Sequence, residues 1–92
     1  MIACFPAYNE EGIIGNLIKK TLPLVDSVVV CDDGSTDLTS KEAKDAGAFV
    51  IRHSSNKGKG AALKSLFDFA RHSNADIIVT IDGDGQFLPE EI

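Results

Sequence analysis

Asp82 and Asp84 stand one residue apart at the end of Ile77-Ile78-Val79-Thr80-Ile81-Asp82-Gly83-Asp84-Gly85-Gln86, and Gln86 adds an amide oxygen two residues later. Hard divalent cations take oxygen ligands, and Mg²⁺ commonly binds through one or two carboxylates together with substrate phosphates. The apolar run reads as a buried strand, and Asp and Gly, poor strand residues, end it. The strand therefore delivers both carboxylates to its C-terminal edge, where a metal–phosphate site is the leading expectation. Asp-Gly pairs are also ordinary turn formers. An EF-hand loop does not fit: its sixth position counted from Asp82 requires Gly and is Phe87, and its twelfth falls beyond Ile92.

Three further polar clusters follow apolar runs. Pro6-Ala7-Tyr8-Asn9-Glu10 comes after Ile2-Ala3-Cys4-Phe5, and Asp32-Asp33-Gly34-Ser35 comes after Val28-Val29-Val30-Cys31. The stretch from His53 to Gly60 comes after Ala48-Phe49-Val50-Ile51. Between these strands the pattern turns helical. Ile13, Ile14, Leu17, Ile18 and Leu22 recur at helical spacing before Pro23. Asn9 is the expected N-cap of that helix, with Glu10 and Glu11 in its first turn. Thr36 or Asp37 is expected to cap a second helix over Leu38 to Ala46, ended by Gly47. Ala61, Ala62, Leu63, Leu66, Phe67, Phe69 and Ala70 supply the apolar positions of a third, with Phe67 and Phe69 both read as core. Leu88-Pro89-Glu90-Glu91-Ile92 looks like the start of a fourth. His53 and His72 are read as surface or end-of-helix residues without a role.

The order β-α-β-α-β-α-β predicts an α/β fold: a three-layer α/β/α, Rossmann-like parallel sheet with right-handed crossovers. In such a sheet all strand C-termini share one edge, and ligands bind there at the topological switch point. All four polar clusters fall on that edge.

Bulk properties narrow the class. The chain has 92 residues, which predicts one domain over residues 1–92 with a small core. It is 43% hydrophobic and 25% charged, as soluble globular proteins are. No apolar run approaches the roughly 20 residues of a membrane span, and no signal-peptide pattern is present. The net charge of −5 argues against general nucleic-acid binding, which relies on basic patches. Cys4 and Cys31 each sit in an apolar run, so both are expected as buried thiols in a reducing compartment.

Ligand classes can be sorted by what is missing. The loop after the first strand has no Gly before Gly12, so it is not the dinucleotide fingerprint, and no Walker sequence occurs. No Ser/His/Asp order suggests a hydrolase. What remains is a nucleotide site that grips base and ribose with acidic residues and neutralises a diphosphate with a metal.

Four stretches in order carry a resemblance: Pro6-Ala7-Tyr8-Asn9-Glu10-Glu11, Asp32-Asp33-Gly34-Ser35-Thr36-Asp37, Asn56-Lys57-Gly58-Lys59-Gly60 and Asp82-Gly83-Asp84-Gly85-Gln86. Together they resemble the successive motifs of the family 2 glycosyltransferases, inverting enzymes of the GT-A fold, and within them dolichol-phosphate mannose synthases and related polyprenyl-phosphate sugar transferases. The resemblance implies the nucleotide-binding half of that fold. Pro6, Ala7, Tyr8 and Glu10 would line the nucleotide pocket. Asp33, with Cys31 just before it and Asp32 assisting, would hold base and ribose, and Lys57 or Lys59 would face the nucleotide. Asp82, Gly83 and Asp84 would meet the nucleotide-sugar, with Asp82 and Asp84 the catalytic acids. Asp84 and Gln86 would coordinate Mg²⁺ or Mn²⁺. The implied donor is a GDP- or UDP-sugar, and the implied acceptor a polyprenyl or dolichyl phosphate or a glycan.

Two positions depart from the pattern: Gly83 replaces the usual Ala, and Leu38 stands where Gly is common. Such enzymes normally continue well beyond this length, so the acceptor-binding half is expected outside this sequence. Localisation is expected to be cytoplasmic, at the cytoplasmic face of the membrane for a full-length form, and homo-oligomers are compatible with exposed apolar surface. The alternatives are a sugar-phosphate nucleotidyltransferase, which would want a Gly-rich, basic loop after the first strand, and a non-catalytic nucleotide- or metal-binding module.

Overall fold

The computed structural model describes residues 1–73 and 78–80. Strands β1 (Ile2–Ala7), β2 (Ser27–Asp32), β3 (Phe49–Arg52) and β4 (Ile78–Thr80) form one sheet in the order β3-β2-β1-β4, and every pairing is parallel. Helices α1 (Ile14–Thr21), α2 (Thr39–Asp45) and α3 (Lys59–His72) make the crossovers.

Strand alternation sorts the core into two layers. Ala3, Phe5, Ala7, Val28 and Val30 face α1 and α2, where they pack with Ile14, Leu17, Ile18 and Ala43. Ile2, Cys4, Val29 and Cys31 point the other way and pack with Ala62 and Leu66 of α3. Both faces of β1 and β2 are thus covered, which is why these strands read as continuous apolar runs. The expected three-layer α/β/α arrangement is the one observed.

The chain runs from β1 to β2 to β3 in one direction, then returns past β1 to place β4 on its other side. The switch point therefore lies between β1 and β4. Ala7, Asp32 and Arg52, the last residues of their strands, are in register across the C-terminal edge.

Three local expectations need correction. Asn9 does not cap α1. It holds a left-handed backbone at φ 52°, which Asn tolerates, and α1 begins later, at Ile14. Its first turn holds no acid; its N-terminal amides are served from across the structure, as Glu42 of α2 accepts from Gly12 N at 2.8 Å and Gly15 N at 2.9 Å. Glu11 reciprocates by accepting from Leu38 N at 2.8 Å, so α1 and α2 cap each other. Asp37 does act at the start of α2, with Oδ1 accepting from Thr39 N at 3.0 Å. The third correction is Phe67, which is 47% exposed, whereas Phe69 packs against the α3-side core and meets Phe49 at a 6.1 Å ring separation.

Candidate nucleotide site at the sheet edge

Asp32 and Asp33 leave β2 on opposite faces, as successive strand residues must. Asp32 is fully buried and turns toward α2: its Oδ1 accepts from Ser35 N at 2.9 Å, and its Oδ2 accepts from Ser40 Oγ and lies 3.7 Å from Arg52. Arg52 also donates to the Ser35 carbonyl at 2.9 Å. Asp32 thus fastens the turn that follows it to both α2 and β3.

Asp33 turns toward α3. Its Oδ1 lies 2.7 Å from His53 Nδ1 and accepts from Lys57 N at 2.9 Å, while Oδ2 accepts from Gly58 N at 2.8 Å. The backbone continues the parallel ladder one step beyond the strands, with Asp33 N donating to Ala7 O and His53 N to Asp32 O, both at 2.9 Å. Gly34 lets the two loops meet. At φ +78° it lies so close to the 53–58 loop that an added Cβ would stand 2.5 Å from Ser55 C and 2.6 Å from Asn56 N.

Burial pushes the Asp33 carboxyl pKa upward, but the hydrogen bonds from His53, Lys57 N and Gly58 N outweigh it and hold the group below its usual value. A folded value below the unfolded one means stability present above the unfolded pKa of about 3.9 and lost as pH falls through it toward the folded value. Stability measured by urea denaturation is therefore expected to fall more steeply with acidification below about pH 4 in the wild-type chain than in Asp33→Asn.

The first loop is stitched to the second. Asn9 N donates to Ser35 Oγ at 2.8 Å, Thr36 N donates to Asn9 Oδ1 at 2.9 Å, and Glu10 N donates to Thr39 Oγ1 at 2.9 Å. Ala7 is buried, Pro6 and Glu10 are partly buried, and Tyr8 is 45% exposed at this edge. Lys57 is exposed, and Lys59 opens α3 beside it. Cys31, expected beside the base, is fully buried beneath the edge, with Sγ 3.6 Å from His53 Nε2, so its thiol offers a ligand no surface. Burial raises both thiols, Cys4 and Cys31, to about 11, consistent with inert core cysteines. Asp82, Gly83, Asp84 and Gln86 lie outside the described residues. Among the described residues no group of three or more His, Cys, Asp and Glu is placed to hold a metal ion.

His53 is the residue that sequence reasoning missed. Its ring is 11% exposed, its Nδ1 is on Asp33, and its Nε2 is 2.9 Å from Ser65 Oγ of α3. His72 fits the expected end-of-helix place, exposed with Nδ1 on the Asp68 carbonyl. The chain Asp33–His53–Ser65 has the order of a hydrolase triad. Ser65, however, sits in the interior of α3, where backbone N–H groups are spent on the helix ladder, so no oxyanion donors stand beside it. The trio acts as a clasp.

The chain is similar to known proteins in sequence and in fold. The chain is 42% identical over 88 residues to an uncharacterised protein of Methanocaldococcus jannaschii, covering 95% of this chain and 36% of that protein. It is 34% identical over 105 residues to the UDP-N-acetylglucosamine–dolichyl-phosphate N-acetylglucosaminyltransferase of Methanococcus voltae, covering 95% and 42%. Among solved structures, glucosyl-3-phosphoglycerate synthase from Mycobacterium tuberculosis, in complex with Mn²⁺, UDP and phosphoglyceric acid, superposes with a TM-score of 0.73 at 34% identity, covering 89% of this chain and 32% of that one. The chain thus spans about a third to two fifths of these relatives. The model of glycosyl transferase family 2 matches residues 3–92, and the chain belongs to that family.

Proposed function

We propose that this chain is the donor-binding part of an inverting glycosyltransferase that takes its sugar from a UDP-sugar and passes it to a lipid-phosphate acceptor. The observation that carries this reading is the C-terminal sheet edge beside the β1–β4 switch point, where Asp33 is fixed by His53, Lys57 N and Gly58 N next to the Pro6–Glu10 loop. The names of relatives supply the chemistry: the Methanococcus voltae enzyme is named for UDP-N-acetylglucosamine and dolichyl phosphate. An Edwardsiella ictaluri relative, 30% identical over 99 residues, is named for undecaprenyl phosphate.

In this reading Asp33 accepts from the base, Pro6, Ala7, Tyr8 and Glu10 line the nucleotide, and Asp32 supports the turn from beneath. Lys57 and Lys59 approach the donor from the α3 side. Asp82 and Asp84 meet the donor's diphosphate, with Asp84 and Gln86 holding Mg²⁺ or Mn²⁺. A metal there supplies Lewis-acid stabilisation of the departing nucleoside diphosphate. A phosphate acceptor is already anionic and needs little general-base help. In this reading the acceptor's lipid chain sets the reaction at the cytoplasmic face of a membrane; among the described residues no helix is long and apolar enough to cross a membrane.

The test is calorimetric titration with UDP and with GDP, each with Mn²⁺ and with EDTA. UDP binding that requires Mn²⁺ and is lost in Asp84→Ala is the expected result. A chain that is folded by circular dichroism yet binds neither nucleotide would end this reading.

A further inference from the structure

His53 stands where three elements meet. Its backbone is tied to the end of β2 through Asp32 O, its Nδ1 to Asp33 and its Nε2 to Ser65 on α3. Asp33 has four acceptor positions as a carboxylate. Among the described residues three are taken, by His53, Lys57 N and Gly58 N, and the one left is on Oδ2. The direction of that last lone pair depends on the rotation of the carboxylate plane. Two adjacent backbone amides hold one oxygen each, Lys57 N on Oδ1 and Gly58 N on Oδ2. The imidazole, itself pinned at its far nitrogen, adds the second contact on Oδ1 and braces the carboxylate from the α3 side.

We infer that His53 is a positioning residue of the nucleotide site, which clamps the Asp33 carboxylate so that its remaining acceptor is presented to an N–H of the donor's base. The inference rests on the reading of this edge as a nucleotide site. Ser65 keeps the ring from swinging: its hydroxyl, which can both donate and accept, lies 2.9 Å from Nε2 while Nδ1 faces Asp33. His53 itself touches no ligand. Its effect passes through Asp33, so its removal weakens base recognition without removing a nucleotide contact.

The experiment is a set of UDP titrations in Mn²⁺ on variants whose folding is checked by circular dichroism. His53→Ala is expected to bind UDP roughly tenfold more weakly, the scale of one lost charge-assisted hydrogen bond. His53→Asn places an N–H where Nδ1–H stood and is expected to bind within about threefold of wild type, whereas His53→Gln reaches toward Ser65 instead and is expected to behave like the Ala variant. The Asn–Gln contrast decides the matter even where the Ala variant fails to fold. A double-mutant cycle gives the second readout: His53→Ala added to Asp33→Asn should cost no further affinity, because the clamp has lost its object. Native affinity in both His53→Ala and His53→Gln, or losses that multiply in the double variant, would overturn the inference while leaving the donor reading intact. Wild type that binds neither UDP nor GDP would remove the donor reading, and this inference with it.

Discussion

Gly34→Ala is expected to destabilise the chain by about 2–5 kcal/mol, the sum of a left-handed backbone penalty and an overpacking penalty. The two costs have separate origins. The φ of +78° disfavours any L side chain, and the new Cβ would press on main-chain atoms, Ser55 C at 2.5 Å and Asn56 N at 2.6 Å, which cannot rotate away. The 53–58 loop must retreat, and with it go Lys57 N and Gly58 N, two of the donors that hold Asp33. Gly58→Ala is the control. Its φ of +98° with ψ of 160° is a conformation essentially confined to glycine, but no atom lies within 4 Å of its added Cβ. It should cost about 1–3 kcal/mol, all of it backbone. Urea denaturation of the two variants compares the terms; a Gly34→Ala loss of only about 1–2 kcal/mol, the left-handed backbone part alone, would mean that the contact between the two loops contributes nothing to stability.

The sheet was legible because its strands are buried on both faces and its helices carry regular apolar spacing, so Val28 to Cys31 or Leu17 and Ile18 announce themselves without any partner in view. The polar clusters at the C-terminal edge were legible for the same reason, since they follow from strand direction alone. Long-range capping was not. Asn9, Glu10 and Glu11 looked like a helix start, but the amides at the start of α1 are satisfied by Glu42, about thirty positions away, a pairing no local rule can see. His53 was hidden likewise: a lone histidine at a strand end shows its role only when Asp33 and Ser65 come together around it. Phe67 is different, because helical arithmetic places it about 100° from Leu66, at the rim of the face that Ala62, Leu66 and Ala70 bury. Its exposure was readable, and the composition of the helix obscured it. Asp82, Asp84 and Gln86 lie outside the described residues, so their expected roles are tested by the titrations rather than by geometry.

Asp32→Ala is expected to cost about 2–5 kcal/mol, the range for leaving two hydrogen-bond donors without their acceptor. The carboxylate is fully buried, and its removal strands Ser35 N and the Ser40 hydroxyl and leaves Arg52 beside an apolar gap. Asp32→Asn is milder, about 1–3 kcal/mol, because an amide oxygen still accepts from Ser35 N and the Ser40 hydroxyl can turn to accept from the amide nitrogen. Its remaining cost is the lost charge opposite Arg52. The neighbouring Asp33→Asn shows the division of labour. Its loss should appear chiefly in UDP affinity, whereas that of Asp32→Asn should appear in the urea midpoint, with affinity per folded molecule within about threefold of wild type. The physical ground is the alternation of the strand: one carboxylate faces α2 and holds the turn, and its neighbour faces the 53–58 loop and the ligand edge. An Asp32→Asn chain as stable as wild type but unable to bind UDP would reverse that assignment and make Asp32 the residue that meets the nucleotide.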